Sequence, residues 1–440
     1  VKSLSPLALL LALAACRPPT SEQPDLTVAD ARAEDPDSDP EIDAETDETK
    51  KRAAAEAKVD ASARRIIQEV AAARGLPVNG EFTVALVDKN DVREFIRGVM
   101  YEEMTPEEVE INGRVQASFG VVPVGSKGEQ VLLDLLEFGV LGIYDPKRKV
   151  LMIGDFVDRS GLGMVVGHEG AHGLQDMHFD LQTLSKMHKG RSDLDTAKTF
   201  LIEGDAQASY LAWMTGSEGV GSIGDDLLDT QADVALQIGD GMGIPYPTLA
   251  RMLQMPYTDG TRSVIHLARR DGWAAVDALY KNLPTTSEQM LHLDKLDERE
   301  PAIAVTIDTK VLLAAVPGHA VTWEDELGEA ALLAMLADVA SPTRAREAAA
   351  GWGGDRFIAL DHETSPAAAP LMIGVIAWDS AGDAKQFEPV FREYLEKHKP
   401  GNHVIVRKGT AVLYATHYDA LGMDPGALAK AAWKAFAVGK

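Results

Sequence analysis

Cysteine is almost absent from this sequence: Cys16 stands alone in 440 residues. No disulfide can form within the chain, so an oxidising compartment offers it no cross-link and endangers no other thiol. Long apolar runs are missing as well. The most apolar stretch, Leu7 to Leu13, is too short to span a bilayer stably. Basic runs are lacking, and the net charge is −25. Such a chain is not expected to bind nucleic acid, which demands a clustered positive surface. The acidity reads as a well-solvated surface instead. No internal repeat is evident. What is present is enough hydrophobic sequence, 45% of the residues, for one large core or two ordinary ones.

The N-terminal pattern is specific. Lys2 precedes the short apolar run, and Ala14-Ala15 lead into Cys16. A basic start, a short apolar segment and small residues before a cleavage point make a signal peptide over residues 1–15. The ending Leu13-Ala14-Ala15-Cys16 resembles a bacterial lipoprotein signal, which implies lipidation of Cys16 and attachment to the membrane at the cell envelope. Arg17 stands where an inner-membrane retention signal would have Asp, so the outer membrane is favoured if the cell is Gram-negative. Residues 16–49 read as a disordered tether. Within them, residues 21–49 hold twelve acidic residues against the single Arg32, too little apolar surface to fold and too much like charge to collapse.

Beyond the tether, periodicity predicts a helix over 50–74, stopped at Gly75, and a strand over 81–88. Asp91 is placed to cap a helix to about 103. Thr105-Pro106 starts another, and a further helix covers 129–138. Residues 140–144 and 149–153 form a hairpin around Asp145-Pro146-Lys147. A long helix follows over 194–214. Residues 222–243 read as an acidic, Gly-rich surface loop, and 263–281 and 286–293 as helices. Past a soft boundary near 300 come helices over 323–340 and 342–350, strands over 356–360 and 371–378, and a helix over 384–397. Two strands around Lys408-Gly409 and a final helix end the chain. The fold class is α+β: residues 50–300 as one domain with a small sheet beside its central helix, and 301–440 as a C-terminal α+β region.

The chemistry centres on His168-Glu169-Gly170-Ala171-His172. On a helix, this His-Glu-x-x-His spacing sets two imidazoles one turn apart on one face, with a carboxylate beside them. Zinc takes two such nitrogens and a third protein ligand and keeps one position open for water. Glu169 is then the base that takes a proton from that water. Two residues compete as third ligand. Glu203 lies on the next long helix in a Glu-Gly-Asp-Ala setting. His178 falls in register for a longer His-x-x-Gly-x-x-His pattern, but Gln175 occupies the position where Gly would let the chain leave the helix. Gln continues a helix, which carries His178 to the far side and favours Glu203. Asp176 and Asp205 are candidates to orient a ligating imidazole. Tyr210, Tyr257 and His292 are candidates to stabilise an oxyanion. Gly170 and Gly173 cost about 1 kcal/mol each in a helix and point to close packing.

The pair of histidines with Glu203 resembles the gluzincin type of zincin metallopeptidase. More closely, HEGAHGLQDMHFDL, LIEGDA, MPYTDGTRSV, GWAAVDALYKNLPTTSEQMLH and GWGGDR are similar to segments of a largely uncharacterised family of bacterial secreted or lipid-anchored zinc proteases. That family shows HELTHALQDQHFDL, EGDA, PYxxG and STEQ-like stretches. The resemblance spans roughly residues 140–395 and departs at Gly170 and Gly173. It implies zinc held by His168, His172 and Glu203, Glu169 as general base, and a peptide or protein substrate. No aminopeptidase-type Gly-x-Met-Glu-Asn segment is present, so an endopeptidase is expected. The alternative is a non-catalytic envelope lipoprotein, a scaffold or binding module that keeps the fold. The oligomeric state is not legible.

Overall fold

The computed structural model describes residues 40–137, 140–158, 160–239, 242–367, 369–398 and 401–439. The signal segment 1–15, Cys16 and the tether up to residue 39 lie outside the described residues. The architecture is α+β. Its first helix, Pro40–Arg74, begins inside the stretch read as tether. Ala63, Ile66, Ile67 and Val70 give this helix a buried stripe at 3–4 spacing. Among the described residues, no helix is long and apolar enough to cross a membrane.

A three-stranded sheet carries the centre. Strand β1 (Thr83–Val87) runs parallel to β3 (Val150–Gly154), and β2 (Gly142–Asp145) pairs antiparallel with β3 from the other side. The β2–β3 turn is built by Asp145, whose carboxylate accepts the backbone N–H groups of Lys147 and Arg148 at 2.9 and 3.2 Å. Two helices follow and pack on each other: the motif helix, Leu162–Phe179, and the glutamate helix, Ser192–Met214. The first helix packs on both. Phe200 and Leu201 of the glutamate helix are fully buried, each worth about 1.5–3 kcal/mol of burial.

Strand β4 (Val305–Ile307) pairs with the last strand, Phe436–Val438. Strands β5 (His319–Asp325), β6 (Trp352–His362), β7 (Leu371–Trp378), β8 (His403–Lys408) and β9 (Ala411–Thr416) form an antiparallel sheet in the order β5-β6-β7-β9-β8. Both faces are covered, which is why β7 is apolar along its whole length. The largest apolar cluster extends from Val87 to Tyr414, so packing is continuous across residue 300.

Four local expectations are corrected. Residues 222–243 contain the helix Asp225–Leu236, whose buried Leu228, Ala232, Ala235 and Leu236 keep helical spacing behind a solvated acidic face. Trp323 lies in β5, and the helix begins only at Gly328, after a backbone turn with φ +79° at that glycine. The span 263–281 is two helices, Thr261–Asp271 and Trp273–Lys281, broken at Gly272 with φ +80°. Asp91 is the third residue of its helix; Asp88 is the cap, and the two share a capping box.

The glycines of the paired helices mark close approaches. A Cβ on Gly170 would stand 2.5 Å from Ile67 Cγ1 of the first helix. At Gly204 it would stand 2.5 Å from the backbone C and O of Gly260. Alanine gains about 1 kcal/mol of helix propensity at either site, whereas overpacking costs about 1–3 kcal/mol. A side chain can turn aside more cheaply than a backbone. Gly204→Ala is therefore expected to lower the thermal midpoint, and to lower it more than Gly170→Ala. A midpoint for Gly204→Ala at or above the parent's would contradict this packing.

Candidate metal centre

The motif helix runs unbroken through Gln175 to Phe179, so His168 and His172 sit one turn apart on it. Their Nε2 atoms are 3.2 Å apart, and Glu203 Oε2 lies 3.2 Å from each. All three residues are buried. A tetrahedral ion bound at about 2.0–2.1 Å places its ligand atoms roughly 3.3 Å from one another. The observed triangle has that size. Glu203 Oε1 is buried with no hydrogen-bond partner, a costly state for a carboxylate oxygen that a cation would relieve. The donor set of two imidazoles and a carboxylate suits zinc.

Both rings are oriented from behind. Gln175 Oε1 lies 2.8 Å from His172 Nδ1 and Gln207 Oε1 lies 3.2 Å from His168 Nδ1. The direction of the first bond is fixed. Gln175 Nε2 donates to the Ile202 carbonyl at 2.9 Å and to Asp205 Oδ2 at 3.1 Å, both acceptors only. Its oxygen must then face His172, whose Nδ1 donates and whose Nε2 is left for a metal.

The sequence candidates divide accordingly. His168, His172 and Glu203 come together. His178 does not join them; its Nε2 lies 2.8 Å from the Pro77 carbonyl, on the far side of the continued helix. Asp205 orients His172 only through Gln175. Asp176 touches neither imidazole, a correction to its expected role. It accepts from the Tyr144 hydroxyl at 2.8 Å, from Lys149 Nζ and from the Leu181 N–H at 3.1 Å, which clamps the hairpin to the helix. Of the three oxyanion candidates, Tyr257 packs against His168 with ring centroids 5.4 Å apart. Tyr210 lies over Gly167, and His292 pairs with Glu329 at 2.9 Å.

Glu169 is buried, and its Oε2 accepts the Tyr144 backbone N–H at 3.0 Å. That N–H points outward from β2, the edge strand of its sheet. Gly142 permits the approach, since a Cβ there would stand 2.5 Å from Val165 Cγ1. Tyr144 thus reaches Glu169 with its backbone and Asp176 with its ring, two turns apart on the motif helix. A cleft of about 300 Å³ opens alongside, lined by His172, Glu203, Phe95, Val99 and Leu181 among others. Glu169 does not line it.

The charges are coupled. Burial pushes the Glu203 carboxyl up, but the charge of His172 and hydrogen bonds from both imidazoles outweigh it and bring the pKa down to about 2. Burial pulls His172 down, but Glu203 outweighs that and raises it to about 9. Burial holds Glu169 above the ordinary carboxylate range, partly offset by the imidazoles.

Residues 319–422, which hold β5 to β9 and none of the metal-site residues, match the model of a family described as a domain of unknown function (DUF8575). No curated protein and no solved structure matches the chain.

Without metal, the Glu203–His172 pair supports the fold fully between the ordinary values of 4.5 and 6.5. That support is lost as pH falls through about 2 or rises through about 9. The stability gap between parent and His172→Gln, read from urea midpoints of metal-free protein, should be largest near pH 5–6 and shrink above 9. Zinc binding near pH 7.5 should release about one proton, measurable from the buffer dependence of the calorimetric heat. Binding without proton release would contradict the pairing.

Proposed function

We propose that the protein is a zinc metallopeptidase of gluzincin type that hydrolyses peptide bonds, tethered to the bacterial cell envelope by a lipid on Cys16. The observation that carries the reading is the buried triangle of His168, His172 and Glu203 with an unpartnered Glu203 oxygen, next in sequence to Glu169. Zinc bound there supplies a Lewis acid that polarises a carbonyl and makes a water acidic near neutral pH.

The chain's own residues carry the remaining roles. Glu169 accepts a proton as the water oxygen attacks the carbonyl carbon, and returns it to the amine nitrogen as the C–N bond breaks. Burial raises its pKa, which suits a group that must act first as base and then as acid. The Tyr144 N–H holds one of its oxygens and leaves the other for the proton. Gln175 keeps the His172 ring in the required tautomer, and Gln207 lies at His168 Nδ1. Tyr257, against His168, is a candidate to stabilise the oxyanion.

Glu169→Gln is expected to cut turnover of a fluorogenic peptide library by about 10²–10⁴-fold while bound zinc is retained. Unchanged turnover in that variant would remove Glu169 from the mechanism. Failure of the zinc-replete parent to cleave any peptide would favour the binding lipoprotein instead.

A further inference from the structure

Arg74 ends the first helix, 131 residues before Asp205. It is only 1% exposed, deep for an arginine. Its Nε donates to Asp205 Oδ1 at 2.6 Å, and its Nη2 to Asp205 Oδ2 at 3.3 Å and Asp277 Oδ1 at 2.7 Å. The guanidinium lies over the Trp273 ring, 4.4 Å from its centroid. Asp205, fully buried, also accepts the Tyr280 hydroxyl at 2.9 Å. The carboxylate is thus held from both sides, with Oδ2 aimed at the Gln175 amide.

We propose that Arg74 is a positioning residue for the metal centre: it fixes Asp205, Asp205 fixes the Gln175 amide, and Gln175 fixes the His172 ring. The inference rests on the metal reading of the site but not on any activity. In the chain Arg74–Asp205–Gln175–His172, donation converges on Asp205: Arg74 and the Gln175 amide both donate to the carboxylate, and the His172 Nδ1–H donates to the Gln175 oxygen. The guanidinium only donates and the carboxylate only accepts. The amide donates on one side and accepts on the other, and Nδ1–H donates to it. Turning the Gln175 amide over would set its oxygen against two acceptors and its NH2 against Nδ1–H. A loosened Asp205 removes half of what prevents that turn, and a turned amide favours the tautomer with Nε2 protonated, which cannot bind a metal. A fork that grips both carboxylate oxygens is needed, so a lysine point charge is a poor substitute. Because Arg74 belongs to the first helix, this also ties metal affinity to the docking of that helix on the site.

The test is zinc affinity, measured by competition with a chromophoric chelator, together with the visible spectrum of the cobalt-loaded protein. The parent comes first. If it binds no zinc, the metal reading itself fails. If it binds, Arg74→Lys, Asp205→Asn and Gln175→Leu should each weaken zinc about 10–100-fold and alter the cobalt spectrum. Gln175→Leu leaves the Arg74–Asp205 pair in place. The double replacement Arg74→Met/Asp205→Leu removes the pair without stranding a buried charge. Both guard against loss of folding. Adding Asp205→Asn to Gln175→Leu should weaken zinc no further, since the carboxylate acts through the amide. As a control, Asp338→Asn breaks the buried Arg251–Asp338 pair (2.8 Å) and should lower stability with zinc affinity unchanged. Zinc affinity within twofold of the parent in Arg74→Lys and in the Arg74→Met/Asp205→Leu protein would overturn the proposal. So would additive losses in the Gln175→Leu/Asp205→Asn protein.

Discussion

A carboxylate is buried at the centre of this molecule beside two imidazoles, and one of its oxygens has no partner. Burying such a group is costly unless a charge of opposite sign stays close. In the metal-free chain the His172 proton fills that need; zinc would fill it with more charge and satisfy the orphaned oxygen. The surrounding fold is arranged to keep those three donor atoms 3.2 Å apart. The motif and glutamate helices supply the donors, the hairpin lies against the motif helix, and the first helix packs behind both.

That arrangement depends on small residues at chosen points. Gly170 admits Ile67, Gly204 admits the Gly260 backbone, and Gly142 lets β2 lie on the motif helix. Each costs some helix or strand preference and brings a neighbour close enough to fix the ligands. The first helix packs on both helices that carry the triangle, and under the proposal above it reaches the site through Arg74. The five-stranded sheet is different. It shares the large apolar cluster with the helical part but contributes no residue to the candidate metal site, and it coincides with residues 319–422, which match the family model.

Much of this was legible in the sequence because helical periodicity is a strong constraint. His-Glu-x-x-His gave the two imidazoles and the adjacent carboxylate. Gln175 in place of Gly told that the helix continues, and so which side His178 faces. The orienting groups were less accessible. Gln175 and Gln207 carry no charge, and their role needs the second helix at a particular rotation. Asp176 looked like a partner for His172 at a spacing of four, yet the hairpin's Tyr144 and Lys149 claim it. Local patterns misled where a breaker set the structure: Gly328 starts a helix that Trp323 only precedes, and Gly272 divides another. The helix Asp225–Leu236 hid behind its acidic face.

The central claim is that the buried triangle binds one zinc ion, and metal content of the purified protein tests it most directly. The account predicts about one zinc per chain in the parent and in His178→Ala, and none in Glu203→Ala. Zinc retained in Glu203→Ala but lost in His178→Ala would contradict the ligand set. An absence of zinc from the parent, even after reloading, would contradict the metal centre altogether.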